Sequence, residues 1–203
     1  MEAGRADQVG ADVRLVEGAD VPARGDVPPH FWFGAVREVF EETGVLLART
    51  EQGEWAQDTV SSKHMENWRQ RLMNNEARLI DMIAAERMRM VLDDVVYFAH
   101  WITPKAEPRR YDTRFFAAAL PPGRVIRADK REMIDAIWIT PGHALERFAE
   151  GKLPMVFPTV RTLQDLHEFV SVDVALSQLQ QRNVHAILPR LVRTPTGVGI
   201  VID

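Results

Sequence analysis

The sequence contains no cysteine among its 203 residues. That absence excludes disulfide staples, thiolate zinc sites and a cysteine nucleophile together, and leaves oxygen and nitrogen as the donors for any metal. Long apolar runs are also missing. Nowhere does the chain approach the ~18 consecutive apolar residues that mark a membrane span, and the opening MEAGRADQVGADVRLVEG carries no apolar leader core. These two absences set the expectation of a cytoplasmic protein with no membrane partner. Positive charge is not in excess: 25 Lys and Arg stand against 29 Asp and Glu, a formal net charge of -4. No global field therefore draws the chain to nucleic acid, and a phosphate-bearing ligand has to be captured locally. The histidines include no pair at H-x-x-x-H spacing, and Ser61–Ser62 lie in no nucleophile elbow, so neither a histidine zinc site nor a serine hydrolase is indicated.

What is present is a 46% apolar composition, enough for one substantial core. Residues 1–29, rich in Gly, Ala, Asp and Pro, read as an irregular lead-in with at most a short strand at Val13–Val16, and residues 30–203 as the domain proper. From Phe31 the apolar period becomes helical, with Phe33, Val36, Val39, Phe40 and Thr43 on one side and Gly44 placed to end the helix. Residues 54–92 read as a helical arm, with Ser61 or Ser62 as N-cap and Trp68, Leu72, Leu79, Ile83 and Met90 as its apolar stripe. The texture then turns to β at 95–103, 113–120 and 136–140, the first two expected to pair as a hairpin. Helices follow at 142–152, from a Thr159 N-cap onward, and at 172–183. Two short strands around Thr-Pro-Thr-Gly close the chain. Trp55, Trp68, Trp101 and Trp138 are expected in the core.

The chemistry concentrates in GAVREVFEETGVLLA, 34–48. On a helix, Glu38, Glu41 and Glu42 stand at i, i+3 and i+4, so their carboxylates share a face, with Val36, Val39 and Phe40 pointing the other way. Three acids held together repel unless a cation sits among them, and Mg²⁺ or Mn²⁺ suits carboxylate oxygen while leaving positions for phosphate oxygens. Arg37 is four residues before Glu41 and able to orient its carboxylate. Clustered glutamates alone read as a solvated face more often than as a metal site. The fuller pattern, REVFEETGV at 37–45, arises by chance on the order of once in ten thousand chains of this size.

These nine residues match the core of the Nudix box, and the chain resembles the Nudix hydrolases. HWITP, RRYDTRFFAA, IWITPGHAL and FPTVRTLQDL, between residues 100 and 166, are similar to the acyl-CoA diphosphatase-like branch, which carries a helical insertion after the box. The resemblance implies an α/β fold, a Nudix-type α/β/α sandwich with a mixed sheet. It implies Mg²⁺- or Mn²⁺-dependent hydrolysis of the diphosphate bond in a nucleoside-diphosphate-linked small molecule of the CoA or acyl-CoA kind. By position, Glu38, Glu41 and Glu42 resemble the metal ligands, Glu38 also a general base, and Arg37 the residue that orients the cluster. Glu132 resembles the acid that many members place in a loop facing the metals. Arg114 and Arg110 carry planar donor forks suited to substrate phosphate oxygens. The upstream half of the box does not match: Pro29 and Ala23 occupy the glutamate and glycine positions, and no PGG occurs in residues 1–36. The expectation is a shortened family member whose exposed sheet edge pairs in a homodimer. The alternative reading is a nucleotide-binding or assembly protein of the same fold without turnover.

Overall fold

The computed structural model describes residues 27–120, 123–128, 136–194 and 197–202. Residues 1–26, with the strand expected at 13–16, lie outside that set, as does Glu132. The chain divides into two compact units, Met1–Val95 with Leu120–Ile137, and Val96–Ala119 with Trp138–Asp203.

The first unit is built on helix α1, His30–Thr43. It buries Trp32, Phe33, Val36 and Phe40, and the Trp32 indole, itself fully buried, donates to the Val95 carbonyl at 3.2 Å. Gly44 ends the helix at φ 75°, a left-handed conformation that glycine adopts without a Cβ penalty, and its N–H closes on the Phe40 carbonyl at 2.9 Å. The chain then runs through the buried residues Val45, Leu46 and Leu47 into β1, Ala48–Thr50, which pairs antiparallel with β2, Met88–Met90. Between these strands lie the helices α2, Ala56–Thr59, α3, Ser62–Met73, and α4, Leu79–Ala85. The Ser61 hydroxyl caps α3 by accepting from the His64 amide, as its sequence position predicts.

In the second unit β3, Val96–Ile102, pairs antiparallel with β4, Asp112–Ala117, and parallel with β5, Ala186–Ile187, giving a mixed three-stranded sheet in the order β4-β3-β5. The expected hairpin is present, with an irregularity between Tyr97 and Ala99. Three helices follow β4: α5, Pro141–Ala149, α6, Phe157–His167, and α7, Val172–Gln180. Val96, Phe98 and Leu179 form the core, against which Phe115, Leu166, Phe169 and Leu176 pack. The closing strands β6, Arg190–Thr194, and β7, Gly197–Val201, form a hairpin of their own.

Five sequence expectations are corrected. Residues 136–140 form no strand; Thr140 instead caps α5 by accepting from the His143 amide, and Pro141 follows at the first helical position. Thr159 is not an N-cap but lies inside α6, which starts two residues earlier because Pro158, lacking an N–H, is tolerated in a first turn. Met90 belongs to β2 rather than to the helical stripe, since α4 ends at Ala85, Glu86 caps it and Arg87 turns the chain at φ 50°. Trp138 is 72% exposed, outside any core. Val39 is 36% exposed, and the buried side of α1 carries Arg37 and Glu41 instead.

Candidate metal-binding helix

Helix α1 buries charged as well as apolar side chains. An i, i+4 stripe of Phe33, Arg37 and Glu41 runs beside Val36 and Phe40, so the helix buries an ion pair along with its apolar residues. The Arg37 Nε donates to Glu41 Oε1 at 2.5 Å, with both side chains at most 6% exposed. Burial of a lone carboxylate or guanidinium is costly, and mutual neutralisation makes this one tolerable. Glu38 and Glu42 are half-buried on the adjoining turns. The acids therefore do not stand opposite the buried side as a purely solvated set: Glu41 is held inward by its arginine, and Glu38 and Glu42 reach toward solvent.

The other end of the helix is secured by a residue that sequence inspection does not single out. Arg69, on α3, is 3% exposed. Its Nε donates to the Glu41 carbonyl at 2.9 Å, and one terminal nitrogen donates to the Glu42 carbonyl at 3.0 Å and to the Arg127 carbonyl at 2.8 Å. A helix leaves its last four carbonyls without intrahelical donors and gathers partial negative charge there; a guanidinium answers both needs. The Arg127 amide meanwhile donates to the Thr43 carbonyl at 2.9 Å. The segment 123–127 is tied down again by Arg124, whose two terminal nitrogens reach the two Asp58 oxygens at 2.7 and 2.8 Å. That fork holds the Asp58 carboxyl below the usual aspartate range. A cavity of about 240 Å³ adjoins this helix end, with Thr43, Gly44, Glu66 and Arg69 in its wall. Arg69 has one sequence signal in retrospect: a helix ending on exposed carbonyls needs donors from a neighbouring element, and α3 carries this arginine among apolar Met65, Trp68 and Leu72.

The donor set on α1 fits a hard divalent cation in kind, since it is all carboxylate oxygen and includes one carboxylate that an arginine orients. Among the described residues, however, no three His, Cys, Asp or Glu side chains form a group placed to hold one ion. Glu38, Glu41 and Glu42 share one stretch of α1. Of the other predicted site residues, Arg114 and Arg110 belong to the second unit. Arg114 donates to Asp112 Oδ1 at 3.0 Å, and Asp112 is also bonded to the His100 imidazole. The exposed Arg110 donates through Nε to the Thr103 carbonyl at 3.1 Å. Tyr97, beside this cluster, has its hydroxyl pKa raised by burial. No helix among the described residues is long and apolar enough to cross a membrane.

The mixed sheet, the helices packed on it and the REVFEETGV helix define an α/β Nudix hydrolase fold. The solved NUDIX hydrolase from Alicyclobacillus acidocaldarius has the same fold, with a TM-score of 0.66 and 26% identity over 84% of this chain and 76% of that one. Residues 15–166 match the NUDT19 Nudix domain, and the chain belongs to that family. The match starts upstream of residue 30, where the sequence reading began the domain. Among curated relatives, the acyl-coenzyme A diphosphatase NUDT19 of Xenopus laevis is 28% identical over 150 residues, 68% of this chain and 40% of the relative. That of Gallus gallus is 29% identical over 178 residues, 74% and 46% respectively. The chain thus spans less than half the length of these two relatives.

Proposed function

We propose that this chain is a divalent-metal-dependent diphosphatase that cleaves the diphosphate bond of CoA or an acyl-CoA, with Mg²⁺ or Mn²⁺ held by Glu38, Glu41 and Glu42. The observation that carries the reading is the buried Arg37–Glu41 pair inside REVFEETGV. A charged pair sunk in a helix–core contact costs desolvation, and orientation of a metal-ligating carboxylate is a use that repays it. The activity for which these relatives are named supports the substrate class. Residues 54–92 we read as the insertion that follows the box in this branch.

A bound Mg²⁺ or Mn²⁺ supplies charge neutralisation at the diphosphate oxygens and a lowered pKa for the attacking water. The protein's own part is positional. Arg37 fixes the Glu41 carboxylate through Oε1. Arg69 fixes the main-chain carbonyls of Glu41 and Glu42, so two of the three ligands stand on backbone that cannot fray. Glu38 and Glu132 are the proposed proton acceptors for the water, the latter outside the described residues. Arg114 and Arg110 are proposed donors to phosphate oxygens; anchoring by Asp112 lowers the entropy that Arg114 loses on binding.

The test is release of 3′-phosphoadenosine 5′-phosphate from CoA with and without added Mg²⁺ or Mn²⁺. Wild type is expected to release it only with metal, and Glu41→Gln to lose at least about a hundredfold in rate. Equal rates in wild type and variant sink the proposal. Metal-dependent retention of CoA without product would assign the chain to binding rather than turnover.

A further inference from the structure

In the first unit, the end of α1, the helices α2 and α3 and the segment 123–127 enclose the cavity of about 240 Å³ beside Arg69. That volume lies below the ~300–1,000 Å³ usual for drug-sized ligands and suits a single ring system. Both polar atoms of the Gln57 carboxamide, on α2 and in the cavity wall, are buried and bonded to no group among the described residues. In the same wall Arg124 Nε is buried without a partner, while the two terminal nitrogens of that arginine are committed to Asp58. A buried donor and acceptor left unmade are costly, so such a set calls for a partner that enters from outside. Glu66, the acid of the described wall, is already engaged by Arg69 and, at 2.8 Å, by the Gln70 amide. Val60, Met65 and Val125 supply apolar surface, and Val125 is 74% exposed. An aliphatic side chain left in water beside a cavity is one that the face of a ring would cover.

We propose that this cavity binds the base of an adenine nucleotide, with the N6 amino group donating to Gln57 Oε1 and N7 accepting from Gln57 Nε2. A carboxamide carries a donor and an acceptor side by side, and this edge of adenine is their complement; guanine presents two acceptors at the same edge. The terminal torsion of a glutamine is broad, so the amide can turn within the wall to meet a guest. Val60, Met65 and Val125 then face the ring, and Arg127, exposed in the same wall, offers a cation to the nucleotide's phosphate. Thr43 and Gly44 also line the cavity and directly follow Glu42, so a base seated here stands next to the helix end that carries the proposed metal ligands. Taking that base as the adenine of CoA rests on the diphosphatase reading; the preference for adenine rests on the cavity alone.

The experiment is calorimetric titration of the full chain with adenosine 3′,5′-bisphosphate in the presence of EDTA, which separates base binding from metal-dependent hydrolysis. Saturable binding is expected, with guanosine 3′,5′-bisphosphate and the 7-deazaadenosine analogue, in which N7 is replaced by C–H, each roughly tenfold weaker. Gln57→Leu should weaken the adenine compound by a similar factor and keep or raise the melting temperature, because an apolar group replaces a buried amide that the free protein leaves unbonded. Absence of saturable binding, equal affinity for the guanosine compound, or full affinity for the 7-deaza analogue overturns the proposal. So does unchanged affinity in Gln57→Leu, which would assign the amide to a buried water only. If Gln57→Leu fails to fold, the guanosine and 7-deaza comparisons still decide. Adenine-selective binding in a chain that releases no product from CoA upholds this site and sinks the hydrolysis; metal-dependent release without adenine preference does the reverse.

Discussion

Replacing Arg69 with alanine removes a guanidinium that is 3% exposed and bonded to three main-chain carbonyls, those of Glu41, Glu42 and Arg127. Each such charge-assisted bond contributes roughly 1.5–3 kcal/mol, so the three set a ceiling of several kcal/mol. The ceiling is not reached, because the cavity of about 240 Å³ beside the arginine admits water to part of the freed carbonyls. The ion pair with Glu66 at 3.4 Å adds little, since Glu66 is 40% exposed in its side chain. The expected loss is about 3–4 kcal/mol. Against the ~5–15 kcal/mol of a typical domain, that leaves a folded but weakened protein. The melting temperature should fall by about 6–16 °C for a chain of this length. Arg69→Lys keeps the charge but lacks a planar fork able to serve three acceptors, and should lose about half as much. The assay is urea unfolding followed by tryptophan fluorescence, with metal affinity measured on the same proteins. A loss under ~1 kcal/mol in Arg69→Ala would refute the reasoning that these carbonyls depend on the guanidinium. A lysine variant as damaged as the alanine variant would show that shape rather than charge is the whole effect.

Gly44→Ala forces a left-handed residue at φ 75° and brings its Cβ to 3.4 Å from an Arg69 terminal nitrogen, so it should cost about 1–2 kcal/mol, readable as a thermal shift, with Gly44→Asn milder. The clasp between α3 and the end of α4 should respond to acid. Glu86 accepts from the His64 imidazole at 2.7 Å and the Trp68 indole at 2.8 Å, and the imidazole bond, followed by the indole bond, lowers its pKa from the ordinary 4.5. A carboxylate with a depressed folded-state pKa contributes stability that is complete above the unfolded value and is lost as pH falls through the folded one. Unfolding midpoints should therefore decline below about pH 4.5 in wild type, and Glu86→Gln should flatten that decline. Asp58→Asn breaks the fork from Arg124, and faster amide exchange is expected across residues 123–127 with little change in global stability.

Much of the first unit's central helix was legible because its signals are local. Gly44 punctuates the helix, Ser61 caps the next one, and the β3–β4 hairpin announces itself through aromatic and β-branched runs. The strands β1 and β2 are three residues each, too short to show a period, and they form because Leu46, Leu47 and Ala48 are buried beside them. Residues 136–140 misled for the opposite reason: Ile-Trp-Ile has strand texture, yet Ile137 and Trp138 are exposed and the run is spent as the approach to a helix cap. At the candidate site, the spacing of Glu38, Glu41 and Glu42 was readable, but the inward turn of Glu41 was not. A helical wheel ranks residues by type, and nothing in such a ranking anticipates that Arg37 and Glu41 go into the core as a neutralised pair. Arg69 was faint for a related reason: its partners are main-chain carbonyls, and its one mark in the sequence is its place among the apolar Met65, Trp68 and Leu72 of α3.

The pinning of Glu41 has a consequence for the order in which the site can fail. Its carboxylate is held by Arg37 and its carbonyl by Arg69, from opposite ends of the same residue. Side-chain orientation and backbone position are thus secured by two cations on different helices, and loss of either leaves the other in place. Removing Arg37 takes away the cation that offsets the burial of the Glu41 carboxylate and orients it. Removing Arg69 leaves the Arg37–Glu41 pair in place but frees the last turn on which Glu41 and Glu42 stand. The first injury acts on the charge of the site and the second on its geometry. A hard cation, which needs both anionic oxygen and fixed placement, therefore ties the usefulness of α1 to the helical arm that supplies Arg69.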